Sequence, residues 1–173
     1  MGGVIAYPTE AVYGLGCDPR DESAVRSILV LKSRNPDMGL ILVSDSFCRF
    51  KPFIETVPAE RQLAAEASWP GPYTWLYPRA AGVPDWLAGK HPTIAIRVSA
   101  HPVCQALSMK FGAPIVSTSA NPHASPAATS AEQVEAYFGE NIDGIVEGEI
   151  GDEPQPSEIR DVLSGRLLRG AGS

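Results

Sequence analysis

The segment VIAYPTEAVYGLGCDP, Val4 to Pro19, begins as a strand and continues into a glycine-containing corner. Its first residues form a short apolar run typical of a buried strand, and Pro8 ends that run. A Gly-x-Gly pair after a strand can belong to a dinucleotide-binding turn. Here Pro19 stands where that motif requires its third glycine, and no helix begins directly after the turn. We therefore interpret Gly14–Gly16 as a close turn and not as a phosphate cradle.

Strand and helix patterns alternate along the rest of the chain. Apolar runs predict strands, helical periodicity predicts amphipathic helices, and Asp21 and Ser130 are suited to cap two of the helices. Ser164-Gly165 predicts a turn of a terminal hairpin, so at least one strand pair is antiparallel. The predicted strands are 4–7, 40–43, 73–77, 94–98, 114–117, 144–147, 159–163 and 167–169, and the predicted helices are 22–32, 59–67, 101–111 and 130–138. These patterns predict an α/β (α+β) fold with a mixed sheet, as one domain over residues 1–173, with 148–156 as its most flexible internal loop.

The composition bounds the class of protein. The 173 residues are 44% hydrophobic and 20% charged, with no apolar run long enough for a membrane helix and no signal-peptide pattern. Three widely spaced cysteines indicate reduced thiols, and we expect a cytoplasmic protein with no membrane partner. The net charge of -6 disfavours broad, non-specific binding to nucleic acid. The three histidines are not paired at ligand spacing, so we expect surface or capping roles and no metal site.

Lys32 and Arg34 follow the first predicted helix and precede a strand. One interpretation is a favourable interaction of both cations with the helix dipole. The other is an anion site, in which lysine supplies a point charge and arginine a fork that matches phosphate or carboxylate. The two residues alone do not decide between these interpretations.

Ser117-Thr118-Ser119-Ala120-Asn121 ends an apolar strand with three hydroxyls and an amide. Open α/β sheets bind ligands beyond the carboxyl ends of their strands, although such residues also form ordinary turns and helix caps. The density of hydrogen-bonding groups favours binding here.

Arg97 ends another strand and shares a face with Thr93. A buried arginine requires an anionic partner, whereas an arginine on a solvated edge strand does not, and periodicity leaves both alternatives open. Pro156–Asp161, with Arg169 across the hairpin, would ordinarily be a surface loop and turn.

Taken together, these motifs resemble the YrdC-like family in order and spacing. The resemblance covers essentially the whole chain and is closest to the short, single-domain bacterial members. Each motif alone is weak, but the set in register is specific. The motifs are Tyr7–Gly16, Lys32 with Arg34, Trp69–Thr74, Arg97, Ser117–Asn121, Pro156–Asp161 and Arg169.

The resemblance implies a twisted mixed sheet with flanking helices around a large concave cavity. It also implies an enzyme, a nucleotidyltransferase that makes threonylcarbamoyl-adenylate and pyrophosphate from L-threonine, bicarbonate or CO2, and ATP with Mg2+. Partner proteins would transfer the product to adenosine 37 of tRNAs that read ANN codons. In this reading Pro8–Glu10 and Tyr13 face the ligand, and the glycines turn the chain closely beneath the pocket.

The family pattern also implies roles for individual residues. Lys32 and Arg34 would be the catalytic cations at the triphosphate, with Thr93, Ser119, Asn121 and Arg169 also binding ATP. Thr9, Tyr13, Arg97, Ser117 and Ser157 would surround threonine, with Arg97 pairing with its carboxylate. No general base is assigned.

Three departures from the family pattern stand out. Members usually carry a helix before the first strand, which this sequence lacks. Met38 stands near a position where many members have a basic residue, which predicts weaker phosphate binding. Pro122-His123-Ala124 follows Asn121 where members often continue with Ser-Gly, which predicts a different loop.

Two alternatives remain from sequence. One is a non-catalytic module of the same fold that binds double-stranded RNA or tRNA or acts in ribosome maturation, which the negative net charge disfavours. The other is a carbamoyl-adenylate-forming domain of the hydrogenase-maturation type, which normally lies within a much longer chain.

Overall fold

The computed structural model describes residues 2–153 and 157–169. Within these ranges the chain alternates between strands and helices as the sequence predicts. The strands are β1 (Ile5–Pro8), β2 (Tyr13–Gly16), β3 (Ile41–Ser44), β4 (Tyr73–Pro78), β5 (Thr93–Val98), β6 (Ile115–Ser119), β7 (Gly144–Ile145), β8 (Glu158–Asp161) and β9 (Leu167–Arg169). The α-helices are α1 (Glu22–Leu31), α2 (Ala59–Glu66), α3 (Asp85–Ala88), α4 (Pro102–Phe111) and α5 (Ala131–Phe138), and short 3-10 helices cover Pro36–Met38, Phe47–Phe50 and Gly139–Asn141.

In the described part of the chain, all the strands join one mixed sheet in the order β7-β1-β2-β6-β3-β5-β4-β8-β9. The pairs β1–β7, β3–β5 and β4–β8 are parallel, and the other neighbours are antiparallel. The predicted mixed α/β sheet with flanking helices is confirmed. None of the helices in the described ranges is long and apolar enough to cross a membrane.

Local sequence explains where the helices begin and end. The side chain of Asp21 accepts a hydrogen bond from the Ala24 N–H at the start of α1, and Ser130 caps α5 in the same way through Gln133. His101 caps α4 through Val103, which confirms a capping role for this histidine. The predicted caps are therefore observed.

The helices pack on both faces of the sheet, but they cover one face only in part. The larger core lies on the face that carries Leu42, Ile96 and Val116. On the opposite face a smaller cluster joins α4 to Tyr7 and Val43. Because residues alternate between faces along a strand, Arg97 of β5 and Ser117 and Ser119 of β6 also lie on this second face. That uncovered area becomes the floor of a cavity.

The sequence interpretation of Gly14–Gly16 as a turn is wrong, because these residues lie in β2. Gly14 pairs with Tyr7 on one side and with Ser119 on the other. Glycine is needed because a Cβ on Gly16 would lie 2.5 Å from the Val116 carbonyl oxygen. Glycine has a low intrinsic strand propensity, so the sequence did not predict this strand. Its glycines are required because neighbouring strands pack closely against them.

Smaller differences concern element ends. The short helix α3 has too few residues to show helical periodicity. The hairpin strand β8 ends at Asp161, earlier than predicted, and its register shifts near Arg160. The predicted flexible loop lies partly outside the described residues, at 154–156. Its described part is hydrogen-bonded, as set out below.

Candidate active site

A cavity of about 350 Å³ opens at the end of β6, where the turn between β1 and β2 meets the last strands of the chain. This volume lies within the range of small-molecule sites. Its lining brings together residues from the whole length of the chain: Thr9–Gly14, Arg34, Leu40, Ile41, Pro72, Arg97, Ser117–Ser119, Ala127, Ser157 and Arg169.

Three arginines give the cavity a concentrated positive charge. Burial lowers the pKa of Arg34, and the charge of Arg169 adds to this effect. Burial likewise lowers the pKa of Arg169, with a further contribution from Arg97. The Nε atoms of all three are buried and have no hydrogen-bond partner among the described residues. Half-buried, closely spaced and incompletely paired guanidinium groups indicate a site for an anion.

Glu10 is the carboxylate that lines the cavity together with these arginines. Its side chain is 9% exposed, and Oε2 lies 3.5 Å from a terminal nitrogen of Arg97. Burial alone would raise the pKa of Glu10. The charge of Arg97 and hydrogen bonds from Ser99 and the backbone outweigh burial and hold the pKa below its ordinary value. Arg97 is therefore largely covered, with 11% of its side chain exposed, on a central strand beside an anionic partner, which excludes the solvated edge strand.

The end of α1 directs Lys32 and Arg34 to different places. Ser33 adopts φ 46°, and the N–H groups of Ser33 and Arg34 bond the carbonyls of Val30 and Leu29. This is a Schellman motif with serine in the position that glycine usually occupies. It sends Arg34 to the cavity wall.

Lys32 lies behind the cavity wall. Its Nζ donates to the carbonyl oxygens of Ser119, at 2.5 Å, and of Asn121, at 3.0 Å, and to Asn121 Oδ1, at 2.8 Å. Ser119 Oγ also donates to Asn121 Oδ1. Burial, with a contribution from Arg34, lowers the pKa of Lys32 to about 8. Lys32 thus holds the loop that follows β6.

A segment outside the cavity lining holds the β1–β2 turn in place. We call Gly148–Glu153 the strap. The Tyr13 hydroxyl donates to the Gly148 carbonyl and accepts from its N–H. Gly151 N–H donates to the Thr9 carbonyl and Glu153 N–H to the Glu10 carbonyl. The strap therefore fixes the backbone from which Thr9 and Glu10 reach the cavity.

The cavity collects most of the predicted site residues. Thr9, Tyr13, Arg34, Arg97, Ser117, Ser119, Ser157 and Arg169 line it. Ser157 bonds Thr74 through its hydroxyl, and its carbonyl accepts from Arg169. Lys32 and Asn121 lie directly behind. Thr93 lies at the opposite end of β5 from Arg97 and outside the lining residues.

Sequence reasoning placed Glu10 near the ligand but gave it no role, and it missed Ser99 and the strap. The sequence does contain a signal for Glu10, because it is a charged residue between two apolar segments that are predicted to be buried. Among the described residues, no group of three or more His, Cys, Asp or Glu side chains could hold a metal ion.

The fold and the cavity define an α/β domain with a cavity suited to anionic small molecules. A family model named Sua5_yciO_yrdC, with the description "Telomere recombination", matches residues 1–171. The chain belongs to this family.

Relatives and a solved structure agree with that membership. The chain is 49% identical over 172 residues to a Threonylcarbamoyl-AMP synthase of Xanthomonas oryzae pv. oryzae, covering 98% of this chain and 91% of the relative. It is 45% identical over 169 residues to a Threonylcarbamoyl-AMP synthase of Cellvibrio japonicus, covering 98% and 89%. The structure is similar to that of P. abyssi Sua5 complexed with L-threonine, with a TM-score of 0.90 and 35% identity. That comparison covers 98% of this chain but 51% of P. abyssi Sua5, so the chain spans about half of the longer protein.

Proposed function

We propose that this chain is an L-threonylcarbamoyladenylate synthase. It makes threonylcarbamoyl-AMP and pyrophosphate from L-threonine, bicarbonate or CO2, and ATP, for the modification of adenosine 37 in ANN-decoding tRNAs. The observation that carries the proposal is a cavity lined by three arginines and one carboxylate, with the carboxylate beside Arg97. The shared family, and relatives that carry this enzyme name at 45% and 49% identity, support the same reaction.

The reaction asks the protein mainly to hold two anions together. The α-ammonium group of threonine first loses a proton; the free amine then adds to CO2 and loses a second proton, which gives the carbamate. A carbamate oxygen then attacks the α-phosphorus of ATP, the bond to the bridging oxygen breaks, and pyrophosphate leaves. Positioning both reactants and neutralising the charge that develops on pyrophosphate accelerate such a transfer.

The cavity offers separate places for the two substrates. Arg97, with Thr9, Tyr13, Ser117 and Ser157 around it, is suited to hold threonine through its carboxylate. Binding of L-threonine by P. abyssi Sua5 supports this assignment.

On the side of Arg34, the cations are suited to the phosphates of ATP. Arg34, Arg169 and Ser119 line this part, and Lys32 and Asn121 support it from behind. The proposed ATP contact of Thr93 would need the nucleotide to extend along β5 beyond the described cavity. Mg2+ prefers oxygen ligands and commonly reaches such sites with phosphates. We propose that it arrives with ATP, and that the product passes in the cytoplasm to threonylcarbamoyl-transfer proteins.

The experiment measures pyrophosphate release from ATP with and without L-threonine and bicarbonate. Replacement of Arg34 or Lys32 by alanine should lower the threonine-dependent rate by about 100-fold or more, as loss of a charge-stabilising group does. Arg26→Ala, an exposed cation on α1 that pairs with Glu22, is the matched control and should keep the wild-type rate.

Full activity of both cavity-side variants would show that the phosphate assignment is wrong. ATP cleavage that is equally fast without threonine would contradict the proposed reaction itself.

A further inference from the structure

One oxygen of Glu10 stands out from the other groups of the cavity. Glu10 is 7% exposed, and its Oε2 atom is buried with no hydrogen-bond partner among the described residues. The nearest cation, the terminal nitrogen of Arg97, is 3.5 Å away, too far for a strong hydrogen bond. A buried anionic oxygen in this state is costly unless a ligand completes it.

The other oxygen fixes the direction of the carboxylate. Oε1 accepts from Ser99 Oγ at 2.7 Å and from Ala100 N–H at 3.1 Å. On the backbone side, the Glu10 carbonyl accepts from Glu153 N–H of the strap. Both ends of the residue are therefore held, and Oε2 lies next to Arg97 in a residue that lines the cavity.

The charge pattern indicates what kind of group would complete Oε2. A site built only for anions gains nothing from a carboxylate, since it repels phosphate and offsets an arginine. An α-amino acid carries a carboxylate and an ammonium on one carbon. Arg97 is complementary to the carboxylate of an amino acid and Glu10 to its ammonium. The two side chains lie 3.5 Å apart, which is similar to the short separation of the two charged groups in an amino acid. The ammonium supplies N–H donors, which are what an ionised carboxylate requires.

We infer that Glu10 Oε2 accepts a hydrogen bond from the α-ammonium group of the amino acid while Arg97 pairs with its carboxylate. The inference rests on the proposed function and adds a substrate contact to it. It makes Glu10 the group that distinguishes an amino acid from a hydroxy acid of the same shape. Loss of the charge on Glu10 should therefore weaken the binding of ligands that carry the amine. It should leave the affinity for ligands without the amine little changed.

The test combines one protein change with one ligand change. Binding of L-threonine and of (R)-3-hydroxybutanoate, which lacks only the amine, is measured by calorimetry with saturating α,β-methylene-ATP. Wild-type protein should bind threonine about 10- to 100-fold more tightly, the range expected for a charge-assisted hydrogen bond. In Glu10→Gln, which keeps the shape and the Ser99 contact, that ratio should fall to within about threefold of one.

Glu153→Gln is the matched control, because it removes an exposed carboxylate from the neighbouring strap and should keep the wild-type ratio. Equal weakening of both ligands in Glu10→Gln would mean a merely structural role and overturn the inference. So would a wild-type protein that binds the hydroxy acid as tightly as threonine, a result that needs no variant. Failure of wild-type protein to bind threonine at all would instead contradict the proposed function.

Discussion

Lys32 is a buried cation whose charge depends on the working pH. Its pKa is lowered to about 8 by burial and by Arg34, so the ammonium form decreases as the pH rises through 8. Bound ATP favours the charged form and should raise this pKa. We therefore expect ATP binding to take up protons near pH 8 to 9 and to weaken as the pH increases. Calorimetry in two buffers of different ionisation enthalpy measures the proton uptake.

Lys32→Arg is the control for this titration, since an arginine stays charged throughout the range. Proton uptake by wild-type protein that persists unchanged in Lys32→Arg, or that is absent near pH 8, would exclude Lys32 as its source.

The positions of some individual site residues could be predicted from the sequence, and their burial could not. Arg34, Arg97 and Arg169 were predicted at the site, and the structure places all three in one cavity. The burial of Arg97 could not be predicted, because it depends on where β5 lies in the sheet and on a partner, Glu10, that is distant in sequence.

At the scale of elements, one aromatic side chain makes two of the hydrogen bonds that hold the strap. Tyr13 is 1% exposed, and its hydroxyl bonds both polar groups of the Gly148 backbone. Tyr13→Phe removes both bonds and leaves those groups without the hydroxyl. We expect the free energy of unfolding to fall by about 1–2 kcal/mol and the KM for threonine to rise. Denaturant unfolding and steady-state kinetics measure the two effects.

Tyr137→Phe on α5 removes one hydroxyl away from the cavity and should change neither quantity. A Tyr13→Phe protein with wild-type stability and wild-type KM would show that the strap does not depend on this contact.

Elements with strong local signals were predicted well, and those without them were not. Asp21, Ser130 and Gly112 mark helix ends through capping chemistry that acts within a few residues. Strand β2 was not predicted, because its Gly16 is required by the close approach of Tyr7 and Val116, which belong to neighbouring strands. Tertiary packing thus outweighed intrinsic propensity at that point.

At the scale of the whole molecule, topology assembles the site. The order β2-β6-β3-β5 brings Gly14, Ser117 and Arg97 to one face of the sheet, where α4 leaves them uncovered. The charge distribution also favours small-molecule chemistry over RNA binding. The net charge is -6, and the arginines that line the cavity are half-buried, whereas phosphate backbones are bound by exposed basic surfaces.

The most direct test of the central claim follows the carbon of bicarbonate. Protein is incubated with ATP, Mg2+, L-threonine and carbon-13-labelled bicarbonate, and the products are separated and weighed by mass spectrometry. We predict threonylcarbamoyl-AMP one mass unit heavier than the unlabelled compound, formed in equal amount with pyrophosphate and only when all substrates are present. Pyrophosphate release without label in an adenylate product, or no release under these conditions, would contradict the account.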